Sequence, residues 1–164
     1  PLVAGTVAAL LSQNATLTPD DVRSLLTRYS NDAGAPGRDE AYGAGVLDVG
    51  RLMQRDTPGL YDMVAMIPHV NDNTADRTLY MDVSAQNRGT EPLQEVALVV
   101  DSGGRTQTFT FFNVGVGDTV TQPFSFSYDA LSGAGIEFHF SVAPVGVEDA
   151  TPGNNALGST IAAE

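Results

Sequence analysis

Side chains that could bind a metal ion are concentrated in one polar run at residues 70–77, Val-Asn-Asp-Asn-Thr-Ala-Asp-Arg. Because hard cations such as Ca²⁺ prefer several oxygen ligands close together, Asp72, Asn73 and Asp76 are the calcium candidates of the sequence. The run lacks the closing Glu and the fixed spacing of an EF-hand loop, which excludes that motif. In a chain already rich in Asp, a solvated loop is the favoured interpretation.

A second group of oxygen ligands lies near the end of the sequence, where Glu148 and Asp149 precede Asn154. Asn154 and Asn155 follow a Pro-Gly step, and Asn is a common turn residue. We interpret the two asparagines as turn residues, and Glu148 and Asp149 as part of another solvated loop. No cofactor is therefore predicted, and calcium is the one cofactor that the residue types suggest.

Residues for nucleophilic catalysis are scarce. Acyl transfer needs a hydroxyl, a base within hydrogen-bond reach and donors for the developing oxyanion. Ser12, Ser24 and Ser30 lie among helical residues without a neighbouring His, and the only two histidines are His69 and His139. Alternation predicts that His139 lies on the water-facing side of a strand. The sequence predicts no catalytic residue in this chain.

Composition narrows the classes of partner. The 164 residues include 20 Asp and Glu against 8 basic residues, all Arg, which gives a net charge of -12. Nucleic acids and anionic membranes attract basic surfaces, so neither is a predicted partner. There is no Cys for disulfide or thiolate chemistry. No apolar run reaches the roughly 18 residues that a membrane span needs.

Residues 1–56 have helical patterns. The stretch 1–12 is apolar or small on every face, and such a helix is normally buried all round. Gly5 within it suggests close approach of a neighbouring backbone. A second helix is predicted to begin at Thr18-Pro19, because Thr is a good N-cap and Pro fits the first helical position. A short helix is predicted over 50–55.

From residue 60 onward the apolar residues alternate, which indicates strands with one buried face. Strands are predicted at 61–67, 78–87, 94–101, 106–112, 119–128, 136–143 and 156–162. Phe109, Phe111 and Phe112 are expected to build core or cover the sheet, the alternative being an exposed aromatic stripe. Gly89 and the Gly103-Gly104 step fit turns that need positive φ. Short strands at this spacing predict an immunoglobulin-like sandwich of two antiparallel sheets.

Three segments of the first part occur in the order found in subtilisin-like serine proteases. Residues 1–5, Pro-Leu-Val-Ala-Gly, resemble the run after the nucleophile, with Pro1 as the last residue of the Gly-Thr-Ser-x-Ala-x-Pro motif. Residues 18–26 resemble the next helix of that family. Residues 42–49, Tyr-Gly-Ala-Gly-Val-Leu-Asp-Val, are similar to a sequence near the end of its catalytic domain. The resemblance implies that the nucleophile, the other catalytic residues and the oxyanion-hole Asn lie upstream of Pro1.

The second part resembles the CARDB-type adhesion modules that secreted bacterial proteins append to catalytic domains. The similar segments are Val-Ser-Ala-Gln-Asn-Arg-Gly at 83–89, Val-Gly-Val-Gly-Asp at 114–118 and Glu-Asp-Ala-Thr-Pro-Gly-Asn-Asn at 148–155. The expected fold is thus a two-part α+β chain. Its parts are a helical subtilase remnant over 1–56 and an antiparallel Ig-like β-sandwich over 60–164.

These resemblances imply a C-terminal fragment of a secreted subtilisin-like endopeptidase, inactive alone, with a β-sandwich accessory module. The alternative is a non-catalytic cell-surface binding or adhesion module. The parent would take a peptide or protein substrate, and the expected location is secreted or at the cell surface of a bacterium. If helix 1–12 lacks its natural cover, we expect it to dock on the sandwich or to self-associate.

Overall fold

Three short helices and a two-stranded ribbon form the first third of the chain. The computed structural model describes residues 1–73, 75–131 and 135–162, without the side chains of Asp72 and Asn73. The elements of the first third are α1 (Leu2–Gln13), α2 (Pro19–Arg28), β1 (Ser30–Asn31), β2 (Val46–Leu47) and α3 (Val49–Met53). The prediction of helices near 1–12, after Thr18 and near 50–55 is confirmed.

Local signals set the start of α2. The Thr18 hydroxyl accepts from the backbone N–H of Asp21 at 3.2 Å, and the Asp21 carboxylate accepts from the backbone N–H of Thr18 at 2.9 Å. This reciprocal capping box satisfies N–H groups that the helix itself leaves unpaired. Pro19 stands at the first helical position, where its missing N–H has no consequence.

The helices share a small hydrophobic cluster, but α1 is poorly covered. The cluster consists of buried Leu10, Val22, Tyr29 and Leu52. Within α1 only Thr6 and Leu10 are buried, whereas Leu2 is 64% exposed and Val3 is 54% exposed. The expectation of a helix buried all round is therefore wrong for this chain, because no other element of the described residues covers its outer side.

Gly5 shows the same open side of α1. A Cβ built at Gly5 would meet no atom within 4 Å, apart from those of its own helix and chain neighbours. The close backbone approach expected at Gly5 is thus absent from the described part of the chain.

The remaining residues form two antiparallel sheets. One contains β7 (Arg105–Val114), β6 (Leu93–Ser102), β9 (Ile136–Pro144) and β10 (Ala156–Ile161) in the order β10-β9-β6-β7. In the other, β5 (Thr78–Asn87) pairs with β8 (Thr119–Ser127) along one side. Its other side pairs with β3 (Met63–Ala65) and β4 (His69–Asn73). A short helix α4 (Tyr128–Leu131) follows β8.

Side chains from both sheets meet in one core, which makes the fold a β-sandwich. Val83 of β5 and Leu98 of β6 are fully buried in it. Phe124 of β8 contacts Phe109 of β7 edge-on at 5.8 Å between ring centroids and Phe138 of β9 at 5.7 Å. Such edge-to-face pairs add to the burial of apolar area that stabilises the sandwich. The predicted antiparallel sandwich is confirmed at this level.

The edge formed by β3 and β4 departs from the prediction. One strand was expected at 61–67, but β3 covers only Met63–Ala65, and β4 occupies residues expected to form a polar loop. Residues 66–68 separate the two strands, and Pro68 lies in this gap. The polar residues of β4 are tolerated because an edge strand faces solvent on one side, while its backbone pairs with Thr78–Asp82 of β5.

Two glycines allow close backbone contacts, and one of them lies where the helical segment meets the sandwich. Gly117 has φ +86°, and a Cβ there would collide with the main-chain oxygen of Arg28 at the end of α2. Gly89 does not have the expected positive φ. Instead, the main-chain oxygen of Leu60 occupies the position of its absent Cβ. Gly103 and Gly104 do have positive φ, as their turn requires.

Candidate functional site

The helical segment is joined to the sandwich by a half-buried arginine, Arg51. Asp48 caps α3 by accepting from the backbone N–H of Arg51 at 3.0 Å. Arg51 then donates through Nε to the main-chain oxygen of Arg88 at 3.1 Å and through Nη1 to that of Ser30 at 3.0 Å. Burial lowers the pKa of Arg51 to about 10, so its guanidinium stays charged at neutral pH.

Gln86 of β5 makes the complementary connection from the sandwich. Its Oε1 accepts from the backbone N–H of Asp32 at 3.0 Å and from Nε of Arg88 at 2.9 Å. Its Nε2 donates to the main-chain oxygens of Ser30 and Gly117, both at 3.1 Å. Gln86 is only 3% exposed, so its amide is shielded from water. The four bonds replace the water contacts that the amide loses on burial.

The location of Gln86 corrects one prediction. Alternation placed Gln86 and Ser84 on the water-facing side of β5, yet both are buried. The segment after α2 covers this end of the sheet, so polar side chains here bond to protein rather than to water. Ser84, for example, shares a hydrogen bond with the Thr121 hydroxyl at 3.0 Å.

Asp32 is a buried carboxylate with one oxygen unpaired. Its Oδ2 accepts from the backbone N–H of Gly37 at 2.7 Å and from the Thr119 hydroxyl at 2.6 Å. Its Oδ1 has no hydrogen-bond partner among the described residues, although Asp32 is only 7% exposed. An unpaired buried carboxylate oxygen is costly, because the group has lost its water without a replacement donor.

Asp32 and Arg88 line a cavity of about 490 Å³ that we call the polar cleft. Tyr42 and His69 add polar groups to it. Arg88 uses only its Nε in a hydrogen bond within the described chain. Burial lowers the pKa of Arg88, and the charges of Asp62, Asp48 and Asp32 oppose this effect. The apolar lining consists of Ala65, Met66, Ile67, Pro68 and Val70, with Ala33 and Gly34.

Asp39 shapes the loop beside the polar cleft. Its Oδ1 accepts from the backbone N–H groups of Tyr42 at 2.6 Å and Ala41 at 2.7 Å. The Tyr42 bond is the largest cause that holds the pKa of Asp39 below its usual value. Gly34 has φ +83°, and a Cβ there would collide with Asp39 and the Tyr42 ring. The ring of Tyr42 is therefore positioned by turn geometry.

The structure describes the side chain of only one of the three calcium candidates, Asp76. The side chains of Asp72 and Asn73 lie outside the described residues, although their backbone belongs to β4. Asp76 accepts from the backbone N–H of Thr78 at 3.1 Å and from the Tyr80 hydroxyl at 3.0 Å. Within the described ranges no three His, Asp or Glu side chains form a metal-binding group. These contacts do not test the solvated loop that the sequence favours, and Asp72, Asn73 and Asp76 stay calcium candidates from the sequence alone.

In the second oxygen cluster, Asp149 and Asn154 make hydrogen bonds within the protein. Asp149 accepts from the backbone N–H of Met63 at 2.9 Å and of Thr151 at 2.8 Å. Asn154 lies in a 3₁₀ turn at Pro152–Asn154 and donates to Asp62 at 3.1 Å. Burial raises the pKa of Asp62, with the Asp149 charge adding to the rise. The cluster thus links the start of β3 to the turn before β10.

The serines and aromatic residues considered from sequence lie in ordinary structural positions. Ser12 donates to the main-chain oxygen of Ala9 at 2.7 Å, and Ser30 donates to that of Leu26 at 2.7 Å. His139 is exposed on β9. Phe109 and Phe111 pack against the core, and Phe112 is 64% exposed. Among the residues that the structure describes, no helix has the length and apolar character to cross a membrane.

Sequence reasoning missed the residues that the structure brings together at this site, Asp32, Gln86, Arg51 and Arg88. Several of their hydrogen bonds join positions between 20 and 87 residues apart, which local patterns do not report. One signal was present: the polar run Gln-Asn-Arg at 86–88 spans the end of β5 and directly precedes a glycine. A strand that ends on several polar residues beside a close-packed glycine is a candidate for contact with another segment.

The geometry defines an antiparallel β-sandwich with a helical segment docked on one end. No protein-family model matches the chain. A 53-residue stretch, 32% of the chain, is 40% identical to the Neisserial autotransporter lipoprotein NalP of Neisseria meningitidis serogroup B, strains MC58 and H44/76. The match spans 5% of the length of that protein.

One solved structure is similar to part of this chain. It is the CARDB domain of the PF1109 protein from Pyrococcus furiosus, in complex with di-metal ions. The TM-score is 0.47 and the sequence identity 14%, over 63% of this chain and 88% of the other.

Proposed function

We propose that this chain is a non-catalytic binding module of a larger exported protein. The observation that carries the proposal is the junction of Arg51 and Gln86, which fixes the helical segment to the sandwich through buried and partly buried hydrogen bonds. Such a junction suits a module that holds a neighbouring domain in one orientation, since rigid attachment lowers the ordering cost of binding. The polar cleft lies beside this junction and is its candidate binding site.

We further propose a location in the envelope or outside a bacterial cell. The partial match to an autotransporter lipoprotein supports this location. The net charge of -12 is compatible with this location, because a net charge far from zero keeps a protein soluble. Immunodetection of the native protein in culture supernatant and cell-surface fractions tests the location, and recovery only from the cytoplasm would contradict it.

A second candidate function is favoured by the outer side of α1. This helix carries no charged residue, and much of its apolar surface is exposed. We propose that residues 1–56 are the end of a subtilisin-like peptidase domain whose missing part covers α1, so that peptide hydrolysis belongs to the parent protein. In that case the CARDB-like sandwich is a spacer or docking module for the parent's substrate.

Two experiments test these proposals. The purified chain is incubated with a panel of peptide substrates, with and without a serine-directed inhibitor. We expect no turnover, and inhibitor-sensitive turnover would overturn the non-catalytic function. The reading frame upstream of Pro1 is then sequenced. Gly-Thr-Ser-x-Ala-x directly before Pro1 supports the peptidase parent, and an unrelated sequence there leaves only the binding module.

A further inference from the structure

The last strand, β10, has one free side. Its other side pairs antiparallel with β9. In the register of this ladder, the backbone N–H of Val142 donates to the main-chain oxygen of Asn155 at 2.8 Å, which makes these two residues a hydrogen-bonded pair. Because such pairs alternate along an antiparallel ladder, Ala156, Gly158 and Thr160 direct their backbone N–H and C=O groups away from β9. In the described part of the chain no strand lies on that side.

The free side of β10 lacks the features that protect the other edges of this sandwich. Proteins prevent unwanted pairing at sheet edges with charged residues, proline or bulges. The edge strand β8 contains Pro123, and Pro68 separates β3 from β4. β10 has the sequence Ala-Leu-Gly-Ser-Thr-Ile, without a charged residue or a proline. The Ser159 hydroxyl donates to the Thr160 oxygen only at a long 3.5 Å, so the backbone of β10 stays accessible to another strand.

A cavity of about 390 Å³, which we call the apolar groove, lies between β10 and the edge of the opposite sheet. Its floor includes the buried core residues Met81, Phe138 and Phe140. Its two walls are formed by residues of β10 and residues in or next to β4, namely Leu157, Ser159, Ile161, Ile67, Pro68 and Val70. None of these residues is charged, so the apolar groove suits hydrophobic groups.

The inner face of the sandwich is incompletely covered at the apolar groove. Leu157 pairs with Phe140 and lies on the same inner face of the sheet, yet Leu157 is 37% exposed whereas Phe140 is 3% exposed. Across the groove, Ile67 is 84% exposed and Val70 is 49% exposed. Contiguous apolar surface of this kind marks a binding site.

We propose that β10 and the apolar groove bind an extended segment of a partner protein, which adds to the sheet as a further strand. The backbone of the segment bonds to Ala156, Gly158 and Thr160, and every second side chain enters the apolar groove. In this mode of recognition, main-chain bonds give affinity and pockets for alternate side chains give specificity. The inference rests on the proposed function, because it gives the binding module a protein partner, at a site next to the polar cleft.

Charge favours a basic partner segment over a second copy of this chain. Two copies repel each other, since each has a net charge of -12. β9 and β10 contain no Lys or Arg, and Glu137 is exposed on the outer face opposite Thr160. The partner segment is therefore expected to have apolar residues at the positions that face the groove and basic residues among those that face outward.

Isothermal titration of the full chain with synthetic peptides tests the proposal. The first probe is acetyl-Lys-Val-Thr-Val-Thr-Val-Lys-amide, which alternates apolar and polar residues. In one comparison peptide both Thr are replaced by Pro, which removes backbone N–H groups and disfavours pairing. In the other, both Lys are replaced by Glu. We expect saturable binding of the first probe and at least about tenfold weaker binding of each comparison peptide.

Thr160→Pro locates the binding on the backbone of β10. It removes an N–H group on the free side of the strand, where an edge strand tolerates proline. We expect about tenfold weaker binding of the first probe. Thr160→Val is the matched control, because it keeps the N–H group, and it should bind as the wild type does. Circular dichroism checks that both variants are folded.

Ser159→Trp tests the apolar groove by filling it. Ser159 is exposed and lines the groove, so a larger side chain there competes with the side chains of the peptide. A similar loss of binding is expected. Thr108→Trp is the control, since Thr108 is exposed on β7 and does not line the groove. This pair decides the question if Thr160→Pro does not fold.

Failure of this proposal is distinguishable from failure of the proposed function. Strand addition is overturned by equal affinity for the Thr and Pro peptides, by unchanged binding in the folded β10 variants, or by no saturable binding to folded wild type. Equal affinity for the Lys and Glu peptides overturns the basic partner. Self-association without peptide that Thr160→Pro abolishes and Thr160→Val keeps would identify a second copy as the occupant instead. Each result leaves the non-catalytic module intact, because turnover of peptide substrates tests that function.

Discussion

Gln86 on β5 accepts a hydrogen bond from the main-chain N–H of Asp32 at 3.0 Å, although 54 residues separate them in the sequence. The same amide donates to Ser30 and Gly117. A single side chain therefore connects β1, the loop after it and the turn between β7 and β8. The helical segment and this end of the sandwich should unfold together.

Replacement of Gln86 tests this connection. Gln86→Leu keeps the approximate volume but leaves the main-chain oxygen of Gly117 and two N–H groups without partners, so we expect a loss of about 3 kcal/mol in the free energy of unfolding. Urea denaturation followed by circular dichroism measures the loss. Gln107→Leu is the control, because Gln107 is exposed on β7, and it should change stability by less than about 0.5 kcal/mol. Equal effects of the two changes would contradict the role of Gln86.

Arg51 should be as important from the helical side. Arg51→Met removes the donors to the main-chain oxygens of Arg88 and Ser30, which leaves the Arg88 oxygen without a partner and the Ser30 oxygen with only its bond from Gln86. We expect the urea midpoint to fall by an amount that corresponds to about 3 kcal/mol, with an unchanged slope. Arg23→Met is the comparison, since the Arg23 side chain is 80% exposed. If Arg51→Met is as stable as Arg23→Met, the junction does not stabilise the fold.

Asp62 gives a prediction about pH. Burial raises its pKa above the unfolded value, so the ionised carboxylate destabilises the folded state at pH 7, and this effect disappears as the pH falls through the raised pKa. Asp62→Asn, which keeps an oxygen for Asn154, should raise the melting temperature at pH 7. The difference from the wild type should shrink toward pH 4.

The control for this experiment removes a charge of the same sign from the surface. Asp56→Asn is suitable, because the Asp56 side chain is 82% exposed. Its effect on the melting temperature should be smaller and should lack the pH dependence. A melting temperature of Asp62→Asn at or below that of the wild type at pH 7 would refute the argument.

The outer side of α1 should cause self-association of the isolated chain. We expect sedimentation velocity to show association that rises with concentration and is abolished by the double change Leu2→Gln and Val3→Gln, with no loss of stability. Leu10→Ala, in contrast, empties a fully buried position and should cost about 3 kcal/mol. Wild-type protein that stays monomeric at every concentration would show that α1 is not an association surface.

Sequence patterns predicted the elements that depend on local signals. The capping residues of α2 and the alternation in β5 to β9 predicted where these elements lie in the chain, because each signal lies within the element itself. β4 was missed since its polar residues are stabilised by pairing with β5 rather than by burial. The polar cleft was missed for a related reason: Asp32, Gln86 and Arg88 acquire their roles from contacts between distant segments, and no single stretch of sequence contains them all.

The gap at residues 66–68 affects how copies of this protein meet in a concentrated solution. A growing cross-β fibril needs a continuous row of free backbone groups on which to add the next strand. The edge made by β3 and β4 offers only three residues and then five, with Pro68 between them. Addition of a further strand along this edge is therefore interrupted at Pro68, which disfavours pairing of two copies at this side of the sheet.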